Sequence, residues 1–254
     1  MRNLLIALAL LFAAGPALAD DTALNALVAD YASYALGQDP ITAGRAGDKK
    51  ALARLPDVSP GADVLRKSFL EEFKARLTDI DPASLSPEAR QRRDALDNTL
   101  TERLKSLSAD EARLPFDKDS GFDLEIAGLA STTRLDSEAD AQAWISRLKA
   151  LPRYYAGNVE NARRGVKTGL VRPASTVEAV LARAKAAVAV PVEQDPLLKP
   201  FDGSPIPAPR LGEIGREAAM VVRDQVRPAR QAFVTFLETE YLPASRKAPA
   251  PSQR

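Results

Sequence analysis

The 254-residue chain contains no histidine and no cysteine. Without imidazole or thiolate, most ways of holding zinc, copper or iron are gone, and only carboxylates and carbonyls remain, which suit calcium or magnesium. The Ser-His and Cys-His pairs of nucleophilic catalysis are excluded by the same absence. So is the side chain that ordinarily titrates near neutral pH. No disulfide can staple the fold. The residues themselves therefore mark out no catalytic, metal or cofactor site of the imidazole- or thiolate-dependent kind.

A surplus of charge is also missing. Of 35 Lys and Arg, Arg2 lies in the N-terminal leader, which leaves 34 to face 34 Asp and Glu. That balance disfavours nucleic acid or an anionic membrane as partner, and Arg90, Arg92 and Arg93 alternate with other polar groups as on a solvated helix face. No apolar run reaches the roughly 20 residues of a membrane span. Residues 4–12 are apolar behind Arg2, Gly15-Pro16 breaks the run, and Ala17, Leu18 and Ala19 supply a small-x-small cleavage site. Residues 1–19 thus read as a secretory signal peptide, with no membrane anchor after its cleavage and no Cys to acylate. A retained anchor fits the short, interrupted run less well. The expected location is periplasmic or secreted.

What the sequence has in quantity is helical periodicity. Leu24, Leu27, Val28 and Tyr31 form one stripe. Ser59-Pro60 and Ser86-Pro87 each pair an N-cap with proline at the first helical position. The helices they open carry Ala62, Leu65, Phe69, Phe73, Leu77 and Ile80, then Ala89, Leu96, Leu100, Leu104 and Leu107. A short link at 81–85 makes them a helical hairpin. Residues 120–131 suit a strand or a short buried helix, helix being preferred. Ser137 with Asp140, and Ser175 with Glu178, are capping boxes. Between them, Pro152 is expected to end one helix and start another.

Residues 191–209 hold six prolines in nineteen positions, which predicts an extended connector. A last helix is expected over 211–241, kinked at Pro228. The fold class is all-α: a multi-helix antiparallel bundle with a Pro-rich connector and a long, Pro-kinked last helix. Residues 20–242 form the helical domain, of a length that suits one large domain or two small ones. Residues 243–254, dominated by Pro, Ala, Ser, Lys and Arg, are expected to be disordered.

Three constellations invite a chemical reading. Thr78, Asp79 and Asp81 lack calcium-loop spacing and read as a helix exit. Asp117, Asp119, Ser120 and Gly121 begin like an EF-hand, but the glycine comes one position early and Gly128 stands where a bidentate Glu belongs. That stretch reads as a polar turn. Tyr154, Tyr155, Asn158, Asn161, Arg163, Arg164, Gly165 and Gly169 make the densest polar-aromatic stretch. They suit a ligand-facing wall in which Arg meets a carboxylate, or a capped helix end with cations near the macrodipole. Acids abound, but no pair is marked out for acid–base catalysis.

The stretch over residues 151–173 resembles the bacterial proteins catalogued as domain of unknown function 885. Arg147, Leu148, Pro152 and Tyr154, then Asn161, Arg163, Gly165, Gly169 and Pro173, match their R-L-x-x-x-P-x-Y and N-x-R-x-G-x-x-x-G-x-x-x-P patterns. Leu114, Pro115, Phe116 and Gly121 fit the preceding segment. Val226, Pro228, Ala229, Phe236, Leu237, Glu240, Tyr241, Leu242, Pro243 and Arg246 fit the following one. Asp39, Pro40, Ala43, Leu55, Pro56 and Asp57 agree more loosely. In that family the chain continues into a half with a zincin-like H-E-x-x-P-G-H-H helix, similar to carboxypeptidase Taq and thimet oligopeptidase.

This chain carries none of that helix. The resemblance therefore implies the N-terminal, substrate-cleft half of a zinc-peptidase-like protein, non-catalytic alone, with zinc expected only in the other half. A separately encoded catalytic half is the implied partner. Residues 122–129 and 233–241 are the apolar faces expected to stand bare for it. The rival reading is a stand-alone extracytoplasmic module binding a peptide or small anion through the wall from Tyr154 to Arg164.

Overall fold

The computed structural model describes residues 16–247. The proposed leader before residue 16 and the tail beyond 247 lie outside the described residues. Ten α-helices are joined by short 3-10 turns, and no strand occurs among the described residues. The all-α expectation holds.

The described residues group into two compact units. The first takes residues up to Ser33 together with Ser68–Lys105. It is built from most of α1 (Pro16–Gln38), α3 (Pro60–Thr78) and α4 (Pro87–Ser108). Ser86 caps α4, its Oγ accepting from Ala89 N at 3.2 Å. The core of this unit is Leu24, Leu27, Leu70, Phe73, Leu77, Leu96 and Leu100, with Tyr31 edge-on to Phe73 at 5.5 Å. The expected inward stripe of α3 holds in its C-terminal half only. Phe73 and Leu77 of that stripe are buried, but Leu65 and Phe69 are 63% and 46% exposed, and Leu70 is buried in place of Phe69.

The second unit comprises Tyr34–Lys67 and everything from Ser106 onward. Here α2 (Pro40–Arg45) and the turn Lys49–Ala53 lie against α6 (Glu138–Thr168). The segment at 120–131 is the helix α5 (Phe122–Thr132), followed after α6 by α7 (Ala174–Ala189). Ser137 caps α6 as expected, accepting from Asp140 N at 3.2 Å. Ser175 does not cap α7. That helix starts a residue earlier behind Pro173, and Glu178 instead pairs with Arg246 at 2.7 Å.

Pro152 does not divide α6, which runs 31 residues straight through it. A mid-helix proline costs about 3 kcal/mol. Trp144, Ile145, Leu148, Leu151, Tyr154 and Tyr155 are all buried on this helix, at roughly 1.5–3 kcal/mol for each large side chain. Burial wins.

The connector is less extended than its prolines suggest. It contains two 3-10 turns, Val192–Gln194 and Pro196–Phe201, the second started by the Asp195 side chain accepting from Leu197 N at 3.0 Å. Proline's fixed φ suits a 3-10 turn as well as an extended one.

The last helix is longer than expected. It comprises α8 (Ala208–Val221), α9 (Arg227–Phe236) and α10 (Leu242–Lys247), linked by π-helical turns at Val222–Val226 and Leu237–Tyr241. Each wide turn lies just before a proline, Pro228 or Pro243. A proline ring collides with the carbonyl four residues back, here Asp224 or Thr239, and the wider turn makes room for it. The helix therefore passes Pro243, and residues 243–247, expected to be disordered, are helical, with Ser245 buried.

The apolar faces expected to stand bare are covered except at Leu124, which is 37% exposed. Phe122, Ile126 and Leu129, and Phe233, Val234, Phe236, Leu237 and Tyr241, are each no more than 5% exposed. They belong to the core of this unit, where Phe116, Phe122, Tyr155 and Phe233 meet edge-on, Phe122 at 5.0 Å from Tyr155 and 5.1 Å from Phe233. Helix periodicity shows which face is apolar but not which neighbour covers it.

Candidate functional site

The polar-aromatic stretch of α6 does not form one wall. At 100° per residue Tyr154, Asn158, Asn161 and Gly165 share one stripe about 60° wide, while Tyr155, Arg163 and Arg164 point away from it.

Tyr154 and Asn158, one turn apart, face a concavity of about 630 Å³ that is also lined by Arg45, Asp119, Glu125 and Gly128. Both residues are buried, and Asn158 Nδ2 donates to Tyr154 O at 2.9 Å. Burial, with the Glu125 charge beside it, raises the Tyr154 phenol well above its usual range.

Tyr155 and Arg163 lie instead toward a groove of about 520 Å³ between α6 and α9, with Glu160, Phe236 and Glu240. Tyr155 is held against the buried Arg230, and burial raises its pKa. Arg163 is closed on acids of this same chain. Its Nε and Nη2 donate to the two Glu240 carboxylate oxygens at 2.7 and 2.9 Å, and its Nη1 to Glu160 at 2.8 Å. The guanidinium also lies 5.2 Å from the Phe236 ring centre, within cation–π reach.

Farther along the helix, Asn161, Arg164 and Gly165 are packed against other parts of the chain. Asn161 donates to Val58 O at 2.8 Å, and Arg164 meets Asp110 through two bonds of 2.6 and 3.0 Å. Asp110 is the one non-glycine residue at positive φ among the described residues. Gly165 allows two backbones to approach. A β-carbon there would fall 2.6 Å from Leu170 O and 2.8 Å from Arg113 O. Gly169, at φ 74°, closes the helix in the left-handed conformation expected of a C-terminal glycine.

The arginines and glycines of the stretch thus brace the fold, and the groups left facing open space are Tyr154 and Asn158. Replacing Gly165 by Ala should cost roughly 1–3 kcal/mol, because the groups in the way are main chain and cannot turn aside. Urea unfolding followed by circular dichroism measures it, and a cost within 0.5 kcal/mol would mean that the turn after α6 yields freely.

Sequence reasoning missed Arg45 and Glu125, which reach the concavity from α2 and α5. Neither position carries a local signal, since a lone Arg at a helix end and a lone Glu in a first turn are ordinary capping residues. Glu125 is exposed overall, yet its carboxyl is set against the concavity wall. Burial raises its pKa, Asp39 adds to the rise, and Arg45 opposes it. A raised folded pKa gives stability that is full below the unfolded value and is lost as pH climbs through the folded one. Glu125→Gln should therefore raise the urea midpoint at pH 7 and leave it unchanged below about pH 4, the ordinary range of a Glu carboxyl. An equal gain at both pH values would contradict that burial.

The stretch at Asp117 is a turn, with Asp117 N donating to Ser120 O at 2.9 Å and the Asp117 carboxylate paired with Arg172 at 3.0 Å. Gly121 is required there. Its φ is 133°, and a β-carbon would meet Phe116 Cα at 2.8 Å. Among the described residues no group of three or more acidic side chains is placed to hold a metal.

Residues 40–254 match the family model described as bacterial protein of unknown function (DUF885). The chain belongs to the DUF885 family. Among curated proteins none matches. A solved structure, of a provisionally assigned lipoprotein from Colwellia psychrerythraea, is similar with a TM-score of 0.74 at 14% identity. The match covers 89% of this DUF885 chain and 42% of that protein. At that identity the likeness concerns the fold. This chain spans less than half the length of the protein it matches.

Proposed function

We propose that this DUF885 member is an extracytoplasmic helical protein that supplies one wall of a ligand cleft and has no histidine-dependent metal catalysis of its own. In this reading it corresponds to the N-terminal half of a zinc-peptidase-like arrangement, and a second, separately encoded half brings the metal. The supporting observation is the family match over residues 40–254. The leader at residues 1–19, the provisional description of that relative as a lipoprotein, and the lack of any helix among the described residues long and apolar enough to cross a membrane agree with an exported protein. Because the apolar side chains of residues 122–129 and 233–241 lie, Leu124 apart, in the core of this chain, the bare apolar face that a missing half would leave does not support this reading.

The test uses the purified protein with a set of peptides, with zinc and with a chelator, in the presence and absence of any His-Glu-containing polypeptide encoded directly downstream. The expected result is no chelator-sensitive cleavage by the chain alone and cleavage when the second polypeptide is added. Chelator-sensitive cleavage by the chain alone would overturn the reading.

The second reading, a stand-alone module for a peptide or small anion, gains support from the concavity at Tyr154 and Asn158 and not from the arginines. Peptide binding that Glu125→Gln weakens and Arg163→Gln leaves unchanged would favour it.

A further inference from the structure

Arg147 lies on α6 and is 1% exposed. Its Nε donates to Arg54 O at 2.9 Å, and its Nη2 donates to Ala51 O at 2.6 Å and Pro40 O at 3.3 Å. Its Nη1 is buried without a hydrogen-bond partner among the described residues. Among those residues no carboxylate pairs with it. A guanidinium stays ionised in proteins, and an interior charge is tolerated only when it is matched and hydrogen-bonded. Three carbonyls supply partial charge and no counter-ion. Burial, together with Arg45 and Arg54, draws the Arg147 pKa down to about 10, the direction expected of a cation with no anion beside it.

Arg147 also lines a cavity of about 190 Å³, shared with Arg45, Lys49, Thr132, Arg134 and Asp136. Lys49 is engaged by Asp140 at 3.0 Å and by Asp136 at 3.7 Å, so the one acid of the cavity already has its cation. Arg45 and Arg134 have no ion pair among the described residues. One buried and two exposed guanidiniums therefore line one cavity without a close ion pair, Asp39 and Glu125 acting on Arg45 only at longer range.

We propose that this cavity binds a small oxyanion, a phosphate or a carboxylate, between Arg147 and the guanidiniums of Arg134 and Arg45. The forked donors of Arg suit either oxyanion, and the volume admits a tetrahedral ion or the end of a carboxylate-bearing molecule but not a folded segment. Recognition here is independent of the cleft reading above, since Tyr154, Asn158 and Glu125 line the neighbouring concavity. Arg45 borders both spaces, which makes Arg134 the cleaner probe.

The experiment titrates the full protein with sodium phosphate and with sodium acetate, at an ionic strength held constant with sodium chloride. Calorimetry and melting temperature are the readouts. Saturable binding of one of the two, with a rise in melting temperature beyond that in chloride, is expected. Arg134→Gln should weaken it about tenfold or more, the worth of a charged hydrogen bond, and Arg45→Gln should weaken it in the same direction. Glu217→Gln, outside the cavity, should not. Preference for phosphate or for acetate assigns the class of anion. The proposal falls if neither anion acts beyond chloride, or if both arginine variants bind as tightly as the parent. Arg147 is left intact because its carbonyl contacts also hold α2 and the turn at Lys49–Ala53 to α6.

Discussion

Arg230→Ala is expected to lower the free energy of unfolding by about 3–5 kcal/mol, as for a buried ion pair that loses one partner. Arg230 donates from Nη1 and Nη2 to the two carboxylate oxygens of Asp195, and the two side chains are only 9% and 1% exposed. Although burial pulls the Arg230 pKa down, Asp195 and then Tyr155 raise it above its usual value. The cost does not measure the attraction of the pair. Truncation leaves the Asp195 carboxylate buried with no cation, although its side chain also caps the 3-10 turn at Pro196–Phe201. The double variant Arg230→Met with Asp195→Asn should therefore be less destabilised than Arg230→Ala, since it leaves no unpaired charge. Urea unfolding of the three proteins decides. A single variant within 1 kcal/mol of the parent would mean that water reaches Asp195.

Trp144→Ala should cost about 3–5 kcal/mol, the usual range for emptying a large aromatic site in a core. Trp144 is 1% exposed on α6, and its indole N–H donates to Leu197 O at 3.0 Å. It thus fills the core and also pins the proline-rich connector to the central helix. Trp144→Phe separates the two roles. It keeps most of the apolar volume but leaves Leu197 O unpaired, at roughly 1–3 kcal/mol. Denaturation followed by circular dichroism measures both variants, and limited proteolysis at residues 191–207 reports the connector. Equal losses for the Phe and Ala variants would show that the hydrogen bond, not the packing, sets the stability here. Cleavage no faster than in the parent would show that the connector is held by other contacts.

These two predictions rest on residues of unequal legibility. Trp144 stood out in the sequence, at the inward position of a capped amphipathic helix. Arg230 and Asp195 did not. They are 35 positions apart, each surrounded by ordinary polar residues, and only the folding of the connector onto the last helix makes them a pair. The candidate site divides in the same way. Tyr154 was visible because polar aromatics crowd that stretch, whereas Arg45 and Glu125 reach the same concavity from helices that carry no mark of it. Arg163 and Arg164 looked available because a sequence does not show which acid stands opposite. Glu240 and Asp110 do, from 77 and 54 positions away.

Proline was the other source of misreading. Pro152 and Pro243 each satisfy the local rule for ending a helix, and each lies in a helical run that continues, as was expected only of Pro228. The local cost is a few kcal/mol, and it is outweighed where the helix buries large side chains or widens a turn to clear the ring. Capping residues were more dependable. Ser59, Ser86 and Ser137 all bond the backbone three residues on, because that bond depends on the local chain alone.

The sequence by itself determined the helical class, three of the helix starts, and the exclusion of chemistry that needs imidazole or thiolate. Each follows from near neighbours or from composition. Only the tertiary structure decided which apolar faces are covered, which arginines are already paired, and which cations share a cavity without an ion pair of their own. Burial and charge matching depend on residues tens of positions apart, and the chain brings those together only when it folds.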